Sequence, residues 1–148
     1  MLWTRLSATE PDLGELAPVL ASKPQELLGS TVKELIALFG PPDEVFAHRG
    51  LKPEEDTVVF FYQNSRCYFF FYGSSVWAIR LDHKTSISLL GLKMAMPKQD
   101  ILAILKLPYQ EVSGSLIFVL PEEAFPVRLR LYFENGLLKD AYLYRGDF

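Results

Sequence analysis

Apolar residues in the first forty positions recur at helical spacing, and beyond Asp43 they cluster in β-branched and aromatic runs. Leu13, Leu16, Ala17 and Leu20 share one face of a segment that opens at Pro11, a residue suited to a first helical turn, and closes at Ser22-Lys23-Pro24. This spacing predicts a short amphipathic helix. A second helix is predicted after Leu28-Gly29-Ser30, where Thr31 and Glu34 have the Thr-x-x-Glu spacing of a capping box. It is expected to run to about Phe39, because Gly40 suits the position past a helix end and Pro41-Pro42 cannot continue the helix. Residues 1–9 carry little pattern and are expected to fray.

The runs Thr57 to Gln63, Cys67 to Tyr72 and Val76 to Asp82 are separated by Asn64-Ser65 and Gly73-Ser74-Ser75, and they predict antiparallel hairpin strands. Pro53-Glu54-Glu55-Asp56 is expected to be a solvated loop. The same order then recurs. Leu28-Gly29 matches Leu90-Gly91 at a spacing of 62. Lys33 to Pro42 matches Gln99 to Pro108 at a spacing of 66, and Phe71, Val76 and Leu81 match Phe133, Leu138 and Leu143 at 62 again. The expected organisation is an N-terminal segment with a short helix over 1–27, a first α/β repeat over 28–89 and a second over 90–148, all in one compact domain. The fold class is α+β: tandem helix-then-antiparallel-hairpin units forming one curved antiparallel sheet, with the helices on one face.

The last hairpin allows its register to be argued. A two-residue loop at Asn135-Gly136 would set Leu131 against Asp140 and Arg130 against Ala141, mixing polar and apolar residues on both faces. A three-residue loop with Gly136 in a left-handed bulge position pairs Leu129 with Ala141, Val127 with Leu143 and Arg130 with Asp140. The second register is expected. It turns Val127, Leu129, Leu131, Phe133, Ala141 and Leu143 toward the helices. Carried to the first hairpin, the same phase puts Cys67, Phe69, Phe71, Trp77, Ile79 and Leu81 inside, and Arg66, Tyr68, Phe70, Tyr72, Val76 and Arg80 on the open face. That transfer places Arg66 opposite Arg80, a like-charge cost, and Gly73-Ser74 alone would also make a two-residue turn.

Composition narrows the function classes. The 148 residues are 49% apolar and 22% charged, as in an ordinary globular domain. A net charge of −3 gives no electrostatic case for nucleic acid. The longest uncharged run, Cys67 to Ile79, is 13 residues, too short for a membrane span. Met1 to Glu10 lacks the apolar stretch of a secretory signal. The chain as it stands therefore reads as cytoplasmic, or as periplasmic or extracellular if a leader precedes Met1.

Catalytic chemistry is sparse. His48 and His83 stand at no recognised metal spacing and read as surface or turn residues. Cys67, in an aromatic strand, reads as a small core hydrophobe. The acidic clusters Asp43-Glu44, Glu54-Glu55-Asp56 and Glu122-Glu123 read as solvated loops. Met94 and Met96 read as core fillers. Neither an enzyme nor a cofactor or metal is predicted. The unusual feature is aromatic: nine of the 20 aromatic residues lie between Phe60 and Trp77. The two hairpins leave Tyr68, Phe70, Tyr72, Tyr132, Tyr142 and Tyr144 away from the helices, with Arg66, Arg80, Arg128 and Arg130 among them. Tyrosine and arginine are enriched at binding hot spots. The bland alternative is that these rings pack on one another or beneath the N-terminal segment with Trp3.

The helix start Leu28-Gly29-Ser30-Thr31 and stop Leu38-Phe39-Gly40-Pro41-Pro42, echoed by Leu90-Gly91 and Leu107-Pro108, resemble the small domain of the SmpA/OmlA (BamE) outer-membrane-assembly lipoproteins. Two such units in tandem resemble the β-lactamase inhibitory protein fold. The resemblance spans residues 28–148. It departs in having no lipidation cysteine, a single cysteine and so no intrachain disulfide, and Lys106 where the first unit has Gly40. It implies a sheet whose concave face grips another protein, envelope-associated or inhibitory. The expected function is a non-enzymatic protein-binding module using Tyr68, Phe70, Tyr72, Arg128, Arg130, Tyr132, Tyr142 and Tyr144, and the sequence is compatible with a homo-oligomer. The alternative is a small-molecule or lipid carrier with a pocket between helices and sheet.

Overall fold

In a computed structural model, which describes residues 11–53, 57–121 and 124–147, the capping box at Thr31 is formed on both sides. The Glu34 amide donates to Thr31 Oγ1 at 3.1 Å and the Thr31 amide donates to Glu34 Oε1 at 2.9 Å. It starts helix α2, Val32–Phe39, which follows helix α1, Pro11–Ser22, and a 3-10 turn at Pro24–Leu27. Strands β1 (Glu44–His48), β2 (Thr57–Tyr62), β3 (Cys67–Tyr72) and β4 (Ser75–Leu81) come next. Helix α3, Lys98–Leu105, then precedes β5 (Tyr109–Val112), β6 (Ser115–Val119), β7 (Val127–Glu134) and β8 (Leu137–Arg145). The expected fraying of residues 1–9 and the acidic runs 54–56 and 122–123 lie outside the described residues.

The eight strands form one antiparallel sheet in the order β1-β2-β3-β4-β8-β7-β6-β5, an open sheet with β1 and β5 at its edges. Two four-strand meanders thus meet side by side at β4 and β8, where Ala78 to Leu81 pair with Tyr144 to Ala141. The fold is α+β. Leu16, Leu20, Leu35, Phe39 and Ile101 from the helices pack with Phe60, Tyr62, Cys67, Phe69, Phe71, Ile79, Leu116, Phe118, Leu129 and Leu143 from one face of the sheet. Phe39 stacks on Phe69 with ring centroids 6.3 Å apart, tying the helical layer to the sheet.

The hairpin registers correct the sequence reading. Leu129 pairs with Leu143, Leu131 with Ala141 and Arg130 with Tyr142, two residues away from expectation. The loop is the two-residue Asn135-Gly136, both at positive φ, and a bulge beside Tyr132 and Phe133 takes up Lys139 as an extra residue. Turn and bulge together restore the alternation that a two-residue loop alone would break. The faces therefore stand as expected although the partners differ, and Asp140 bonds Arg80 instead of Arg130.

The first hairpin does the same. Gly73-Ser74 makes a two-residue turn, Tyr72 pairs with Ser75, and the register shifts between Phe70 and Phe71. The extra residue here is Trp77. Val76 accordingly enters the core, fully buried, while Trp77 turns to the open face, the reverse of the expected placement. Arg80 lies opposite Tyr68, and Arg66 is clear of it and bonded to Asp82.

Candidate functional site

The open face is built from alternate residues of each strand, so its composition follows from the phase of β3, β4, β7 and β8. Its first half is closed on itself. Phe61, Val59 and Ala78 are buried although they point away from the helices. Tyr68 covers Phe61 with ring centroids 4.6 Å apart, and the Arg66 guanidinium lies 4.9 Å above the same ring. Phe46 of β1 lies 6.4 Å from Phe61, and His48 meets the edge of Phe70 at 6.3 Å.

Two charged bridges organise this surface. Asp82, 4% exposed, accepts from Arg66 Nη2 at 2.6 Å, the Tyr68 hydroxyl at 2.9 Å and the Lys84 amide at 3.0 Å. Burial alone would raise its pKa, but these three donors outweigh that and hold the carboxyl below its usual range. Burial and the bond to Asp82 push the Tyr68 hydroxyl up. Arg80 lies between the Tyr68 and Tyr142 rings, 4.9 and 5.5 Å from their centroids, and donates two bonds to Asp140 at 3.0 and 2.9 Å. Burial works against its charge, and the Asp140 carboxylate more than restores it.

The second half of the face is more open. Trp77, Ala78, Arg130, Tyr132, Tyr142 and Tyr144 line a shallow cleft of about 250 Å³, with buried Ala78 at its base. Tyr132 meets Tyr142 edge-on at 5.8 Å, and Trp77 meets Tyr144 at 6.5 Å. Burial raises the pKa of both Tyr142 and Tyr144, so they face the cleft as neutral phenols. Arg130 lies 5.1 Å over the Tyr132 ring and donates from Nε to Ser115 Oγ at 2.9 Å.

The eight residues expected to bind a partner all lie on this face, in two settings. Tyr68 and Phe70 are partly buried in the closed half, whereas Tyr72, 52% exposed, lies at the hairpin end. Arg130, Tyr132, Tyr142 and Tyr144 line the cleft, and Arg128 lies beside it, opposite Tyr144. The sequence reading missed Trp77, because a one-residue bulge decides its face. It also left Ala78 unremarked, though only a small residue there leaves space between four rings. The alternative covering by Trp3 lies outside the described residues.

Elsewhere, His48 and His83 are both exposed, and Cys67 is fully buried with its thiol pKa pushed up by that burial. Among the described residues no group of three or more His, Cys, Asp or Glu side chains could hold a metal ion, and no helix is long and apolar enough to cross a membrane.

No protein-family model matches the sequence, so the SmpA/OmlA resemblance has no support from that side, and no curated protein matches it. Solved structures share the fold. An extracellular protein of Bacillus anthracis containing an SCP domain superimposes with a TM-score of 0.59 at 11% identity, over 85% of this chain and 46% of that one. A cysteine-rich secretory protein of Staphylococcus aureus gives 0.55, also at 11% identity, over 82% and 46%. The chain spans about half the length of these two proteins, and at such identity the likeness is one of fold alone. A candidate β-lactamase inhibitor protein of Streptococcus mutans is matched at 18% identity over 89% of this chain and 94% of that one, with a TM-score of 0.40, too loose to carry an argument.

Proposed function

We propose that this chain is a non-enzymatic module that binds another protein through the open face of its sheet. One observation carries the reading: Trp77, Tyr132, Tyr142, Tyr144 and Arg130 leave a cleft over Ala78 on the face opposite the helices. Rigid rings with polar tips give large contact area at low entropic cost, and such anchors dominate protein interfaces. The carrier alternative is weaker, since Leu16, Leu20, Leu35, Phe39, Phe69, Phe71 and Ile79 occupy the layer between helices and sheet where its pocket would lie.

The reading includes two tandem units, 28–89 and 90–148, behind the segment 1–27. Its support is a correspondence of register. Every pair in the β3–β4 ladder, from Cys67 with Leu81 to Tyr72 with Ser75, reappears 62 residues later in the β7–β8 ladder, bulge included. Helices α2 and α3 are offset by 66.

The test is affinity capture with the wild type and with Tyr132→Ala/Tyr144→Ala. The variant is expected to unfold cooperatively like the wild type and to lose its captured partner. Undiminished capture would overturn the proposal. Tyr68 and Tyr142 are poorer targets, because both pack against Arg80.

A further inference from the structure

The arginines near this sheet differ in what holds them. Arg66 is paired with Asp82, Arg80 with Asp140 and Arg145 with Asp147. Arg128 and Arg130, two residues apart on the open face of β7, have no ion-pair partner among the described residues. Among the described residues, Arg128 donates to the carbonyl of Val127 alone, at 3.1 Å, and Arg130 to Ser115 Oγ alone. Among the described residues, two like charges on one side of one strand thus stand without a carboxylate, in a chain of 18 acidic and 15 basic residues. Both residues are partly exposed, and each guanidinium carries further N–H groups in the planar fork that suits a bidentate carboxylate.

Each also has its own cleft. Arg130 lines the aromatic cleft of about 250 Å³. Arg128 lines a neighbouring one of about 350 Å³, with Pro108, Gln110, Ile117, Val119 and Gly146. Tyr144 lines both and forms the wall between them. Positions two apart on one face of a strand are roughly 6.5–7 Å apart, and the side chains of any other extended segment repeat at that interval.

We propose that Arg128 and Arg130 grip two carboxylates, spaced two residues apart, on an extended acidic segment of the partner protein, whose next apolar side chain enters the cleft of Trp77, Tyr132, Tyr142 and Tyr144. The proposal rests on the open-face reading and names the chemistry of its partner. Charge complementarity selects the occupant: two cations with no carboxylate beside them among the described residues favour Asp or Glu, and the rings favour an adjacent apolar residue.

The experiment titrates the isotopically labelled full chain with the capped peptide Ser-Glu-Ser-Glu-Ser-Leu-Ser, and with its version carrying Gln for both Glu, following backbone amide shifts. The Glu peptide is expected to shift amides of β7 and β8, to bind about tenfold or more tighter than the Gln peptide, and to weaken as salt rises. Arg128→Gln/Arg130→Gln is expected to abolish that preference while the spectrum stays folded. Equal binding of both peptides at β7 and β8 overturns the acidic segment and leaves the open face standing. Shifts confined to the helices or sheet edges overturn both. Absence of shifts with either peptide at millimolar concentration overturns the acidic segment, and the capture experiment then decides on the face. Self-association that the double arginine variant abolishes would make a second copy the occupant and overturn the proposal.

Discussion

Arg80 and Asp140 lie 60 residues apart in sequence, yet Arg80 Nε and Nη2 donate to the two Asp140 oxygens at 3.0 and 2.9 Å. The pair lies at the β4–β8 seam, where the two meanders of the sheet meet. A fork-to-fork contact fixes direction as well as charge, so it pins the register of the seam. Both side chains are only partly exposed, which limits screening by solvent.

Asp140→Asn keeps the shape of the partner and removes its charge, leaving the Arg80 guanidinium half-buried between two rings. A loss of about 1–3 kcal/mol in urea unfolding is expected. Arg80→Lys should cost nearly as much, because an ammonium cannot reproduce the planar fork or its stacking. Asp147→Asn, which breaks a local pair between Arg145 and an exposed Asp147 two residues on, serves as the control and should change little. Equal effects at Asp140 and Asp147 would show that the seam does not depend on this bridge.

At the ends of helices α2 and α3 Lys106 takes the place of Gly40, and their backbones explain the exchange. Gly40 has φ 79° and ψ −179°, a combination essentially restricted to glycine, whereas Lys106 has φ 51° and ψ 42°, the ordinary left-handed region. A Cβ at Gly40 would meet nothing within 4 Å, so the constraint is conformational and not one of crowding. Gly40→Ala is expected to cost about 1–3 kcal/mol. Lys106→Gly should be neutral or stabilising by up to about 1 kcal/mol. Thermal unfolding of the two variants checks both signs, and a tolerated Gly40→Ala would count against this backbone.

These differences mark where sequence reasoning reaches and where it stops. Thr31 and Glu34 act within one helical turn, so their spacing alone revealed the cap. The strands β2, β3 and β4 were legible because they are long and rich in aromatics. β1, β5 and β6 were not picked out: Glu44–His48 and Tyr109–Val112 are exposed edges with little alternation, and Ser115–Val119 is a short apolar run with no clear period. The placement of Trp77 and Val76 failed for a different reason. A bulge inverts the faces of every residue before it, and no residue type in Ser75-Val76-Trp77-Ala78 announces one. Half of the cleft, and the sharing of Asp140 with Arg80 across the seam, depend on such long-range register.

Cys67 offers a probe of the core that needs no ligand. It is fully buried, and burial pushes its thiol pKa well up, so the reactive thiolate is scarce in the folded chain. Labelling by a thiol reagent should therefore be slow in buffer and accelerate across the urea unfolding transition. Cys67→Ser, which buries a hydroxyl in an apolar site, should destabilise by about 1–3 kcal/mol, more than Cys67→Ala. Rapid stoichiometric labelling of the native protein would contradict the placement of β3.

Asp82 makes stability depend on acidity in a defined direction. Its folded pKa lies below the ordinary value, while in the unfolded chain it titrates near about 3.9. As pH falls the unfolded state takes up the proton first, so the stabilisation is complete above the unfolded pKa and is lost as pH drops through the folded one. The window is therefore below about pH 4, and nothing should change for this group between pH 6 and 8. Asp82→Asn removes the charge that Arg66, Tyr68 and the Lys84 amide surround, and at pH 7 it should cost about 2–4 kcal/mol. That cost should shrink as the wild type is acidified below about pH 4, drawing the two stability curves toward each other. Parallel curves from pH 7 to pH 3 would mean that Asp82 is not held as a carboxylate by these donors, and would remove the bridge that fixes Tyr68 over Phe61 in the closed half of the face.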